Sequence, residues 1–387
     1  MTTTTTTALT DVFHADVLPA LPHSAITLLQ LSQNPDAGPA DFAKPIEADP
    51  GLMGQVLKFV NSPYFGFRRK ISSVHHAAQM LGINTVKNLA ISFALIKTFS
   101  RQSNGFDYSD FWKDSLVAAV SCKLIAQAVQ PEFAEDAFFL GLLHIIGILV
   151  LVEYLPSEYE PVIQEVKEEK THLSAVENQI LGFDHMQIGS HLVKKWGLPD
   201  IMVHAIRFHH HPDQQDGDSE PLETATHILH LSTLFTEFFQ KPEEALGIGV
   251  IRHFIDRYGF SPALDVGALL ESTNAQVSEV LPAFDISGYD RECYQTIIER
   301  VREELLNVSF DHVQKLVEQR QQIEALKQNV TMDGLTSLYN HNGSTRCCSM
   351  RSGDPSDTGT LCPFFLRTSM TPKSSMTATG IWWGTRF

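Results

Sequence analysis

The chain has 387 residues, 43 % of them hydrophobic, with a formal net charge of −16 and a pI of about 5.5. At roughly 150 residues per domain this length accommodates two or three domains and a sizeable core. So acidic a surface repels phosphate backbones and excludes nucleic acid as a default partner.

The chain opens on "MTTTTTTALTD", a low-complexity tail over residues 1–11 that is expected to be disordered. It has neither the basic nor the apolar region of a secretion signal. The five cysteines (Cys122, Cys293, Cys347, Cys348 and Cys362) form no even framework and no C-x-x-C pair. A reducing cytoplasm is the expected compartment.

Residues 12–235 read as helical throughout. Asp49-Pro50 is a cap followed by a first-turn proline, and "SVHHAAQMLGINTVKNLAISFALIKTF" divides into two helices at Gly82. "NSPYFG" stops a helix in a tight turn, with Tyr64 and Phe65 expected to pack under the following loop. Trp112 and Trp196 are expected core anchors. "AFFLGLLHIIGILVLVEYL" reads as one greasy helix carrying His144, and its apolar run from Leu140 to Val152 is too short to span a bilayer. No segment alternates with period two over a strand's length, so the fold class is all-α, a multi-helix bundle. Residues 236–308 continue as less distinct helices, with turns at Pro242, Pro262 and Pro282. Over 309–331 a very polar helix carries Leu316, Ile323, Leu326 and Val330 in a narrow stripe. The stripe suits a seam between two helices, although a lone surface helix also accounts for it.

Residues 12–235 resemble the HDOD family, signalling modules related to the HD and HD-GYP phosphohydrolases. The series "LPALPHSAITLLQL", "IEADPGLMGQVLKFVNSPYFGF", "ISSVHHAAQMLGINTVKNLAIS", "FWKDSLVAA", "GLLHIIGIL", "DHMQIGSHLVKKWGLP" and "AIRFHHHP" carries the likeness by order and spacing. The resemblance implies a compact HD-like helical bundle, mostly used as a non-catalytic sensory or output module.

An active HD site needs histidines and aspartates converging on one or two cations, which acidify a bound water and hold the phosphate. Set against the related hydrolases, this chain has Asp114 where they have their first histidine. It keeps the doublet's histidine as His144 but replaces its aspartate by Ile145. It retains His185, His209 and His210 and has Thr233 where the last acid is expected. Two acids are absent and one ligand has changed type, so no catalytic residue and no cofactor is expected. His144, His185, His209 and His210 remain weak candidates for residual metal binding. Each also has a plain structural reading: His144 as a core residue bonded to a backbone carbonyl or to Asp114, His185 as part of a helix start beside Asp184, and the tandem histidines as solvated.

"TMDGLTSLYNHN" resembles the opening of the GGDEF domain, the diguanylate cyclase fold, through Asp333, Leu335, Thr336, Leu338, Tyr339 and Asn340. The likeness stops near His341. Back-translating Ser369–Thr385 from the third base of each codon permits a segment like that family's nucleotide-binding stretch. A frameshift between about His341 and Leu361 is therefore expected, with 342–387 read out of frame. Mg²⁺ and GTP would serve only an intact cyclase domain. The sequence thus supports three functions: a non-catalytic HDOD regulatory module acting through residues 309–331 on a cyclase domain, with a homodimer or a regulatory protein as partner and no membrane; a diguanylate cyclase in unbroken form; and a metal-dependent HD-class phosphodiesterase.

Overall fold

A computed structural model of the chain describes residues 22–32, 34, 36–99, 106–169, 172–215, 219–240, 248–287 and 289–331. The N-terminal tail, the GGDEF-like opening from Asp333 to Asn340 and the segment 342–387 lie outside the described residues. Among the described residues every regular element is helical, so the fold is all-α.

Among the described residues the N-terminal part is formed by α1 (His23–Ser32), α2 (Pro39–Glu47), α3 (Pro50–Val60), α4 (Val74–Leu81) and α5 (Ile83–Phe99). Asp49 starts α3 by accepting the Gly51 and Leu52 amides, which would otherwise lack partners at a helix start. Gly82 separates α4 from α5 at φ +86, a conformation that a side chain disfavours. Asn61 closes α3: its Nδ2 donates to the Leu57 and Ile71 carbonyls and its Oδ1 accepts from the Ile71 amide. Beyond it Tyr64 and Phe65 pack around Phe59, together with Phe93 and Phe284, as the turn reading predicted.

The central helix is α6 (Tyr108–Val129), capped by Asp107 and buried along most of its length. Trp112 is 2 % exposed in it, whereas Trp196 is partly buried at the margin of the core. Against α6 pack α7 (Ala134–Leu143), α13 (Glu220–Gln240) and α15 (Val266–Val280). After α7 come α8 (Ile146–Tyr154), α9 (Pro156–Glu169), α10 (Leu173–Leu181), α11 (His185–Lys195) and α12 (Asp200–Phe208). Helix α11 lies on both α8 and α12, and α12 on α13. After α13 follow α14 (Ile248–Arg257), α15 and α16 (Arg291–Thr331).

Three features depart from the sequence reading. The greasy helix is interrupted at His144–Ile145, so His144 closes α7 instead of sitting mid-helix. The apolar stretch around it runs from Pro131 to Tyr154, long enough by length and composition to cross a membrane, but 83 % of its most apolar window is buried inside the fold. The polar helix expected from residue 309 begins at Arg291, because nothing between Arg291 and Phe310 breaks a helix: the stretch has no glycine or proline and is rich in Glu, Arg and Leu.

The chain divides into two units, residues 1–308 and 309–387, with α16 running through the division. Residues 236–308 belong to the same unit as the bundle, and Ile297 and Ile298 of α16 are buried in it. In the second unit Val317, Ile323 and Leu326 are exposed. The side chains of Leu316 and Val330, the other two members of the expected seam, are outside the described residues.

Two glycines set the helix spacing that matters below. A Cβ on Gly141 would stand 2.5 Å from the Ala118 carbonyl oxygen of α6. One on Gly147 would stand 2.1 Å from the His185 carbonyl oxygen. Backbone against backbone leaves no flexible atom to yield, so Gly147→Ala must push α8 off the start of α11. It is expected to destabilise the protein by about 3 kcal/mol, measurable as a lowered midpoint in urea unfolding.

Candidate functional site

The interruption after α7, the start of α11 and the end of α12 bring their histidines together. Ring centroids of His144 and His209 are 5.3 Å apart, His185 and His209 5.5 Å, His185 and His210 5.3 Å, and His209 and His210 4.2 Å. His144, His185 and His209 are buried at 3 %, 1 % and 0 % exposure, and His210 is half-buried. The tandem histidines at 209 and 210 are therefore not the solvated pair that the plain structural reading allowed.

For His144 and His209 the hydrogen bonds fix which ring nitrogen carries a proton. His144 Nδ1 lies 2.7 Å from the Gly141 carbonyl and His209 Nδ1 2.8 Å from the Ile206 carbonyl. Carbonyl oxygens only accept, so both Nδ1 atoms donate and both Nε2 atoms carry lone pairs. Of the two partners expected for His144, the structure chooses the carbonyl over Asp114.

His185 is held differently. Its Nδ1 lies 2.6 Å from Oε2 of Glu177, a side chain with 0 % exposure on α10. The same oxygen accepts the His185 amide at 2.9 Å, and Oε1 accepts the Tyr159 hydroxyl at 2.6 Å. Asp184 caps α11 by accepting the Gln187 amide, so His185 does stand at a helix start beside Asp184, while its ring bonds to Glu177. Neither His185 Nε2 nor His209 Nε2 has a hydrogen-bond partner in its buried surroundings.

These environments separate the four rings electrostatically. Burial pushes the His144 pKa down to about 4. Burial, reinforced by the neighbouring imidazoles, holds His209 and His210 well below the usual histidine range. Burial acts on His185 in the same sense, but the charge and hydrogen bond of Glu177 outweigh it and hold the ring above its usual range.

A cavity of about 480 Å³ opens beside the cluster, with His144, His185 and His210 in its wall. Ile145 and Thr233, the positions that the family resemblance aligns with acids of an HD hydrolase, line it. Ile145 offers only hydrocarbon, and the Thr233 hydroxyl is committed to the His230 carbonyl at 2.7 Å. Asp114 lies in the same wall, its pKa pushed up to about 7 by burial, against the hydrogen bond from Gln240. The structure thus places all seven sequence-selected positions in one region. His144, Ile145, His185, His210, Thr233 and Asp114 line the cavity, and His209 sits behind it against the other rings.

The donor set does not fit the dinuclear, oxygen-rich centre of an HD hydrolase. Such a centre needs carboxylates to bridge and neutralise hard cations, and none stands at 145 or 233. One ring nitrogen each from His185, His209 and His210 falls within 4.8 Å of the others, so the set that remains is imidazole.

The sequence reading missed Glu177 and Tyr159. Glu177 lies eight positions before His185, across a helix boundary, and no local pattern distinguishes it from a surface glutamate. Only its position on the inner face of α10, between Val176 and Leu181, hints at burial.

Residues 18–212 match the HDOD domain family. An uncharacterised protein of Treponema pallidum (strain Nichols) is 25 % identical over 238 residues, 61 % of this chain and 46 % of its own length. The uncharacterised protein YuxH of Bacillus subtilis (strain 168) is 31 % identical over 121 residues, 31 % of this chain and 28 % of its own. The chain thus spans less than half the length of these curated relatives. Among solved structures, a candidate phosphohydrolase from Shewanella amazonensis SB2B superposes with a TM-score of 0.58 at 25 % identity, over 71 % of this chain and 97 % of its own. An HDOD domain protein of unknown function from Geobacter sulfurreducens shares the fold, with a TM-score of 0.56 at 21 % identity over 79 % of this chain and 95 % of its own. A candidate signal transduction protein from Marinobacter aquaeolei VT8 superposes with a TM-score of 0.54 at 26 % identity, over 72 % of this chain and 61 % of its own.

Replacing Glu177 by Leu leaves the Tyr159 hydroxyl, the His185 amide and His185 Nδ1 buried without an acceptor. The loss is expected to be about 3–5 kcal/mol, as for other buried pairs broken from one side. Urea unfolding of Glu177→Leu measures it, and Glu177→Gln, which keeps an acceptor oxygen, should lose less.

Proposed function

This chain belongs to the HDOD family, and from that premise we propose that it is a non-catalytic regulatory module. It takes a signal in the helical bundle and passes it along α16. What supports this reading is that Ile145 and Thr233, which the resemblance aligns with the acids of an HD hydrolase, offer the cavity hydrocarbon and a committed hydroxyl. Without those acids the site cannot neutralise two hard cations or position a metal-bound hydroxide on a phosphodiester.

The output is a packing change and not a reaction. Among the described side chains of residues 309–331, α16 exposes Val317 at 48 %, Ile323 at 53 % and Leu326 at 62 %, which fits a seam with a second copy of the chain or with a regulatory partner. The resemblance of 333–340 to a GGDEF opening supports a diguanylate cyclase as the controlled domain, with Mg²⁺ and GTP belonging to that domain alone. Sequencing the gene across the codons for His341–Leu361 tests the proposed frameshift: an unbroken frame with unrelated codons refutes it. A cytoplasmic location accords with the cysteine pattern.

The competing reading is a metal-dependent phosphodiesterase, favoured by the convergence of the histidines themselves. Full-length protein incubated with cyclic di-GMP and Mn²⁺ separates the two: no hydrolysis is expected, and turnover lost on His144→Ala would overturn the proposal. The same protein given GTP and Mg²⁺ is expected to form no cyclic di-GMP. Light scattering is expected to report a dimer that the double change Ile323→Asp with Leu326→Asp converts to monomer; a monomeric wild type removes the seam.

A further inference from the structure

We propose that His185, His209 and His210 form a mononuclear site for one nitrogen-preferring divalent cation of the Zn²⁺ class. The proposal deepens the regulatory reading and rests on it only for its biological meaning: the cation is an input to the module and not a catalyst.

Three independent observations converge on it. First, one ring nitrogen from each of the three residues lies within 4.8 Å of the others. A tetrahedral ion with Zn–N bonds of about 2.0–2.1 Å needs its ligand nitrogens about 3.3 Å apart, so side-chain shifts of about 1 Å close the set. Second, the Nε2 atoms of His185 and His209 are buried and have no hydrogen-bond partner. A buried polar atom without a partner is costly, and a cation converts both into ligands. Third, the outer nitrogens are already anchored. His209 Nδ1 donates to the Ile206 carbonyl and His185 Nδ1 to the Glu177 carboxylate. Ligating histidines are held in this way, because the outer hydrogen bond fixes the ring and raises the basicity of the inner nitrogen.

The choice of metal follows from the donors. A set of imidazoles suits Zn²⁺, Co²⁺, Ni²⁺ or Cu²⁺, whereas Mg²⁺ and Ca²⁺ require oxygen. The negative charge that an all-imidazole site lacks is supplied at one remove by Glu177, fixed in turn by Tyr159. A cation bound at His185 Nε2 displaces any proton there, as imidazole ligation requires. It would join the first residue of α11 to the two residues that follow α12. Those helices lie against α8 and α13, so binding fixes a corner of the bundle that is otherwise held by packing. His185 and His210 also line the 480 Å³ cavity, so the bound cation borders that space.

The test uses full-length protein without a histidine tag, stripped with chelator and titrated separately with Co²⁺, Zn²⁺, Mg²⁺ and Mn²⁺ in a calorimeter. Co²⁺ and Zn²⁺ are expected to bind one equivalent, Co²⁺ with a ligand-field absorption of nitrogen coordination, and Mg²⁺ not at all. Glu177→Gln is expected to weaken Zn²⁺ binding 10–100-fold. His209→Gln is expected to abolish stoichiometric binding, and so is His210→Gln at a half-buried position that leaves folding intact, checked by thermal melting. The proposal is overturned if stripped wild type binds no equivalent of Co²⁺ or Zn²⁺. It is also overturned if folded His210→Gln binds as well as wild type, because surface histidines are then the ligands. Hydrolysis of cyclic di-GMP by the Zn²⁺- or Mn²⁺-loaded protein would sink the non-catalytic reading and leave the metal site standing. Absence of binding would do the reverse.

Discussion

One buried carboxylate organises the site. Glu177 has no exposure to solvent, yet it accepts hydrogen bonds from a tyrosine hydroxyl, a backbone amide and an imidazole. A charge in such a place is tolerated only when its lone pairs are met and a cationic or strongly polar partner stands beside it. His185 is that partner, and the pairing reverses what burial alone would do to the ring. Through these bonds α9, which carries Tyr159, and α10, which carries Glu177, are tied to the first residue of α11. The direction in which His185 points is therefore a property of three helices.

The glycines make that arrangement possible from the other side. Gly147 lets α8 approach the His185 carbonyl more closely than any side chain would allow, and Gly141 does the same for α7 against α6. His144 lies between these two glycines, at the interruption that ends α7. Its ring bonds to the Gly141 carbonyl and turns an edge toward His209. The cluster is thus assembled by backbone proximity, and the imidazoles fill the remaining space.

Local chemistry explains which parts were legible from sequence. Asp49-Pro50, Gly82 and "NSPYFG" announce a cap, a break and a turn within a few residues, and the structure has all three. The family likeness places residues 12–235 in one bundle through a series of motifs, and residues 18–212 match the HDOD family. What escaped is non-local. The interruption at His144–Ile145 is hidden in an unbroken apolar run, because periodicity cannot separate one buried helix from two. The early start of α16 was missed because its first turns sit among residues whose pattern is weak. Glu177 was missed because a glutamate's burial depends on what faces it across space.

The same physics bears on the positions that the family resemblance aligns with an HD site. A carboxylate beside His144 is useful while a hard cation balances its charge; without the cation it is a buried anion with a desolvation cost of several kcal/mol. Ile145 and Thr233 carry no such cost, since one is hydrocarbon and the other satisfies its hydroxyl within its own helix. Imidazoles behave otherwise. Burial depresses their pKa values and leaves them neutral, as at His144, His209 and His210, so they can persist in a buried cluster without a counter-ion. Asp114 is one of the acids in that wall, with Asp107, Asp110 and Glu237, and burial moves it toward neutrality, with a pKa pushed up to about 7. At the positions that the family resemblance aligns with acids stand Ile145 and Thr233, while His144, His185, His209 and His210 stay; position 114 runs the other way, with an acid where the resemblance expects a histidine. Imidazole donors suit borderline ions better than hard ones, which is the preference proposed for His185, His209 and His210.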